Sequence, residues 1–68
     1  MQFKLEDDYI ELYKLLKLLD LVDTGGQAKM IVAEGYVTRN GTLETRKRAK
    51  IVVGDSLIIG DDVTVEII

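Results

Sequence analysis

The 68-residue sequence predicts an α+β fold in which two short helices pack on one face of a small antiparallel sheet. Three observations carry this expectation. Apolar residues recur at helical spacing as far as Gly35 and then alternate. An Asn-Gly pair separates two of the alternating runs, and the β-branched second half is cut at "GD" and again at "GDD".

Taken in order, "FKL" alternates as a short strand does, and "EDD" ends it while supplying carboxylates for a helix start. Tyr9, Leu12, Tyr13, Leu16 and Leu19 share one helical face, widened by Leu15, so a first helix is expected over Tyr9–Leu19. "DLVD" leads to "TGGQ", where Thr24 and Gln27 have capping-box spacing. Ala28, Ile31 and Val32 give the second helix its buried face, and Gly35 fits a left-handed C-terminal cap. "YVTR", "NG" and "TLE" then predict a hairpin, because Asn-Gly accepts the positive dihedrals of a tight turn. The run "KIVVGDSLIIGDDVTVEII" continues the sheet through two turns. No repeat or linker is visible, and a single domain over residues 1–68 is expected.

Composition narrows the function. With no cysteine and no histidine, disulfides and thiolate metal sites are excluded and the usual general base near neutral pH is missing, so an enzyme, a metal site and a cofactor are not expected. Asp55, Asp61 and Asp62 lie in turns where aspartate is common for conformational reasons. The apolar runs are too short to span a membrane and "MQFKLEDD" is acidic, so a cytoplasmic monomer without membrane contact is the expectation.

The net charge of -3 conceals an asymmetry. Thr24 to Lys50 carries +4 and the rest of the chain -7, which makes the molecule electrically two-ended. Within the positive segment, "ETRKRAK" places Arg46, Lys47, Arg48 and Lys50 in five positions. If it is extended, neither of its sides offers a stripe for the core. It is then either a solvated loop that keeps a sheet edge from pairing or a phosphate-binding segment using the arginine fork and the lysine point charge. "TGGQ" poses a similar choice. Two glycines in a first helical turn cost on the order of 1 kcal/mol each relative to alanine. They either ease a sharp turn that Thr24 and Gln27 cap, or they let an anion approach the bare amides of Gly25 and Gly26. Lys29, a cation early in the helix, is easier to understand beside an anion. Tyr36 either stacks on a base or covers the core edge, and Tyr9 and Tyr13 are expected in the core or at its rim.

With these residues in place, "DTGGQAKMIVAEGYVTRNG" followed by "KIVVGDSL" resembles the RNA-binding domain of ribosomal protein S4, the alpha-L motif. The likeness runs from Leu12 to Ile59 and rests on Ala28, Ile31, Gly35, Val37, Asn40, Gly41, Gly54 and Asp55 in order and spacing. "EGYVTRNGTLETRKRAKI" is similar to small stand-alone bacterial proteins of this type, regarded as ribosome-associated or RNA-binding. The resemblance implies a non-catalytic protein that binds structured RNA, ribosomal RNA above all, and works with the ribosome or an RNA-modifying enzyme. It implies contacts from Gly25, Gly26, Gln27 and Lys29 with Thr24 at the helix start, and from Arg46, Lys47, Arg48 and Lys50 beyond the hairpin. Where many members open the second helix with Ser-Arg, this chain has Thr24 and Gly25, so backbone and "RKR" would substitute. Arg39 replaces an apolar residue common before Asn-Gly and either extends the basic surface or sits on the exposed side. The alternative is an adaptor whose basic face binds an acidic protein.

Overall fold

The computed structural model describes residues 1–68. The elements are β1 (Gln2–Phe3), β2 (Ile10–Glu11), α1 (Leu12–Leu18), α2 (Gly25–Ala33), β3 (Val37–Arg39), β4 (Thr42–Leu43), β5 (Lys50–Ile51), β6 (Ser56–Ile59) and β7 (Val63–Ile67). Five strands form one sheet in the order β1-β7-β6-β3-β4, and β2 pairs with β5 apart from it. The sheet alternates as half-buried strands do. Leu57, Ile59, Val65 and Ile67 face the helices while Ile58, Thr64 and Glu66 face outward. Leu12, Leu15 and Leu16 of α1 and Ala28 and Val32 of α2 complete the core with Val37 and Ile51.

The predicted hairpin and caps are present. Asn40 and Gly41 have φ of 52° and 83°, and Arg39 pairs with Thr42 across them. Gly35, at φ 87°, ends α2 in a Schellman arrangement, its N–H donating to the Val32 carbonyl and that of Tyr36 to Ile31. The end of α1 repeats the arrangement without a glycine. Asp20 takes φ 61°, and the amides of Asp20 and Leu21 donate to Lys17 and Leu16.

Two expectations are corrected and one conditional reading is resolved. The first helix begins at Leu12, not Tyr9, because Ile10 and Glu11 are extended and pair antiparallel with Ile51 and Lys50. The sheet is not purely antiparallel, since β1 runs parallel to β7 with Gln2 opposite Glu66 and Phe3 opposite Ile67. "ETRKRAK" is not an extended segment devoid of buried groups. It folds back in a turn before β5, with Ala49 in the core and Glu44 buried. No helix is long and apolar enough to cross a membrane.

Candidate functional site

The first turn of any helix leaves backbone N–H groups without intrahelical partners. In α1, Glu11 occupies the cap position without a side-chain bond, and the neighbouring segment takes its place. The amides of Leu12 and Tyr13 donate to the carbonyls of Ala49 and Lys47, each at 3.0 Å. The basic loop is therefore fastened to α1 through its backbone, and Arg46, Lys47, Arg48 and Lys50 project into solvent.

The start of α2 is closed only in part. Thr24 Oγ1 accepts from the Gln27 amide at 3.1 Å, and Gln27 Oε1 accepts from the amide of Asp23 at 2.9 Å. The capping box predicted from Thr24 and Gln27 thus forms, reaching one residue further back than usual. The amides of Gly25 and Gly26 have no acceptor within the protein. Neither glycine is needed for the turn: both lie in ordinary helical backbone, in contrast to Gly35, Gly41, Gly54 and Gly60, which have positive φ. A Cβ on Gly26 would meet nothing within 4 Å, and one on Gly25 would make ordinary contact with Lys17 and Tyr13 at 3.8 and 3.9 Å.

Tyr13 links the two places. Lys29 Nζ stands 4.8 Å from its ring centroid and Arg48 Cζ 5.9 Å from it, while a Cβ placed on Gly25 would come within 3.9 Å of the ring. Around the loop, Arg39, Arg46, Arg48 and Lys50 line one hollow of about 400 Å³ together with Ala49. Lys47 stands outside that hollow as an exposed cation.

The cations are not equally free. Arg39 is held inside the molecule. Its guanidinium donates to Asp55 at 2.7 and 3.0 Å and to the Lys50 carbonyl at 2.7 Å, with Glu44 at 3.6 Å. Asp55 also accepts from the Val52 amide and the Asn40 side chain, each at 2.9 Å. Burial works against the Asp55 carboxylate, but the Val52 N–H, Asn40 and Arg39 outweigh it and hold its pKa below the ordinary value. Of the two placements open to Arg39, it takes neither fully. It lines the basic hollow yet spends its charge on Asp55, joining the hairpin to the Gly54–Asp55 turn. Arg46 forms a fork on Glu44 at 3.0 and 3.1 Å, and this hydrogen bonding lowers the Glu44 pKa while raising that of Arg46. Its side chain nonetheless stays 73% exposed, so it remains within reach of an external anion. Arg48 approaches Glu11 only to 4.0 Å, and Lys50 lies 5.0 Å from the Tyr9 ring. No cluster of three or more acidic groups is arranged to hold a metal ion.

Sequence reasoning missed Tyr13 as the link between the helix start and the loop, and Lys17 beside Gly25. The available signal was their spacing of four on one helix, which reads equally well as a core stripe.

Two helices on this small sheet, with Lys29 of the second helix and Arg48 of the loop after the hairpin both over Tyr13, are the arrangement of an S4 domain. The chain belongs to the S4 domain family, whose model matches residues 3–68. Among relatives, it is 49% identical over 49 residues to Escherichia coli YbcJ, which bears the name "Putative RNA-binding protein YbcJ". That alignment covers 72% of this chain and 70% of the relative, and the Shigella flexneri YbcJ protein matches equally. The solution structure of E. coli YbcJ superimposes with a TM-score of 0.69 at 43% identity, covering 96% of this chain and 85% of that one. That structure is described as revealing an alpha-L motif involved in RNA binding, and this chain shares the alpha-L fold.

Proposed function

We propose that this chain is a non-catalytic, single-domain RNA-binding protein of the cytoplasm that recognises structured RNA, foremost ribosomal RNA, through its phosphates. The observation that carries the reading is that the Lys29 ammonium and the Arg48 guanidinium share the Tyr13 ring, in the same helix pair whose second member opens with the unpartnered amides of Gly25 and Gly26. Open amides at a helix start donate to a phosphate oxygen without a side chain intervening, and the arginines of the loop supply planar forks for further phosphates. Because the basic segment is fixed in shape, selectivity comes from the spacing of phosphates on a folded RNA more than from base sequence. The relatives' association with RNA binding supports the same reading.

The test is a salt series. Binding of a ribosomal RNA hairpin is measured for the wild type and for Lys47→Ala/Arg48→Ala, chosen because Arg46→Ala would leave the buried Glu44 carboxylate without its fork. Affinity should fall with salt, and the log–log slope should shrink by roughly 0.7–0.9 for each phosphate that the variant no longer neutralises. Salt-independent binding, or a double variant that folds and binds as the wild type does, overturns the proposal.

A further inference from the structure

Ahead of α1, a groove of about 560 Å³ runs between the segment carrying Asp7 and Tyr9 and the helical face carrying Lys14 and Lys17. Its volume falls within the range of small-ligand sites. Tyr9 is 44% exposed, with Lys50 over one face of its ring, and Leu18 is 66% exposed, so an aromatic ring and an aliphatic side chain line the groove within reach of solvent. We infer that this groove holds a single guanine base turned out of an RNA strand, an inference that rests on the RNA-binding function proposed above.

Three features select that occupant. The first is continuity with the basic loop: Lys50 reaches the Tyr9 ring at 5.0 Å and Arg48 reaches Glu11, on the groove wall, at 4.0 Å. A strand whose phosphates rest on the loop brings a neighbouring base to Tyr9. The second is the exposed ring itself, since an unstacked base recovers its stacking on an aromatic side chain. The third is the pair of carboxylates. Asp7 takes part in none of the molecule's ion pairs, and Glu11 is steadied by Lys14 at 3.2 Å. Ionised carboxylates only accept hydrogen bonds. Guanine presents an N–H and an amino group side by side on its Watson–Crick edge, matching one carboxylate. Uracil presents a single N–H between two carbonyl oxygens, which a carboxylate repels. Lys14 and Lys17 compensate the negative charge of the wall and stand where flanking phosphates would pass.

The experiment compares fluorescein-labelled RNA heptamers, UUUGUUU and all-uridine, by anisotropy with the full chain at one salt concentration. The guanosine heptamer should bind roughly tenfold more tightly, a factor in keeping with the hydrogen bonds that its Watson–Crick edge gives a carboxylate and that uracil cannot give. Tyr9→Ala should abolish the difference, Tyr9→Phe should preserve it, and Asp7→Asn/Glu11→Gln should collapse it. Equal affinities, a preference that survives Tyr9→Ala, or no binding of either heptamer overturns the groove assignment. If the ribosomal RNA hairpin still binds with its salt dependence, the broader RNA-binding reading stands. If the hairpin also fails to bind, both fall.

Discussion

Arg39 and Asp55 are joined by a two-pronged contact, the guanidinium reaching Asp55 Oδ2 at 2.7 and 3.0 Å, across the sixteen positions that separate the hairpin from the Gly54–Asp55 turn. The pair is mostly shielded from solvent, so removing one charge leaves the other poorly compensated. Asp55→Asn should therefore destabilise the protein by on the order of 3 kcal/mol, a large share of what a chain this short has. Urea unfolding followed by circular dichroism measures it, and a loss under about 0.5 kcal/mol, the usual size for an ordinary surface substitution, would contradict the argument.

The same contacts set a pH dependence. Asp55 and Glu44 both have folded-state pKa values below their ordinary ones. Their contribution is thus fully present above the unfolded carboxylate range, about pH 4, and is lost as pH falls through that range toward the lowered values. Stability should be level from neutrality to about pH 5 and then decline. The decline should be shallower in Asp55→Asn, as thermal melts from pH 7 to pH 3 would reveal.

The glycines at the start of α2 separate stability from binding. With nothing within 4 Å of a Cβ on Gly26, Gly26→Ala should raise stability by up to about 1 kcal/mol in the free protein. The methyl group would crowd an oxygen docked on the open amide. Affinity for the RNA hairpin should accordingly drop about tenfold, the loss expected for one charged hydrogen bond. A variant that is more stable and binds equally well would contradict a phosphate docked against Gly26.

Tyr13 allows a finer test. Tyr13→Phe keeps the ring that Lys29 and Arg48 approach, while Tyr13→Leu keeps bulk and removes the π face. Binding should be near normal in the first and weaker by roughly two- to fivefold in the second, the range for exposed cation–π contacts. Isothermal titration of both variants at low salt distinguishes the outcomes.

Much of the fold was legible because local chemistry and tertiary structure agree in this chain. Asn40-Gly41 forces a tight turn, Gly35 a left-handed cap and Thr24 a helix start, and each does so within a few residues. What could not be read depends on distant partners. The spacing of Tyr9 fits the α1 stripe, yet Ile10 and Glu11 are held extended by Ile51 and Lys50, much later in the chain. The parallel pairing of β1 with β7 likewise joins Gln2 to Glu66, beyond any local pattern. In the site, the basic residues were visible as charges but their partners were not. Nothing local distinguishes Arg39, committed to Asp55, from Arg48, which is nearly free. Tyr13 was concealed by its place on an apolar stripe.

The two carbonyls that Lys47 and Ala49 lend to the first turn of α1 have a kinetic consequence. A cationic tail without such anchors must be immobilised whenever it captures a polyanion, and that entropy is subtracted from the affinity and retards productive encounters. Here the shape of the charged surface exists before any encounter. Complex formation should proceed at rates set by diffusion and long-range attraction, with variants in the loop differing mainly in how quickly they let go.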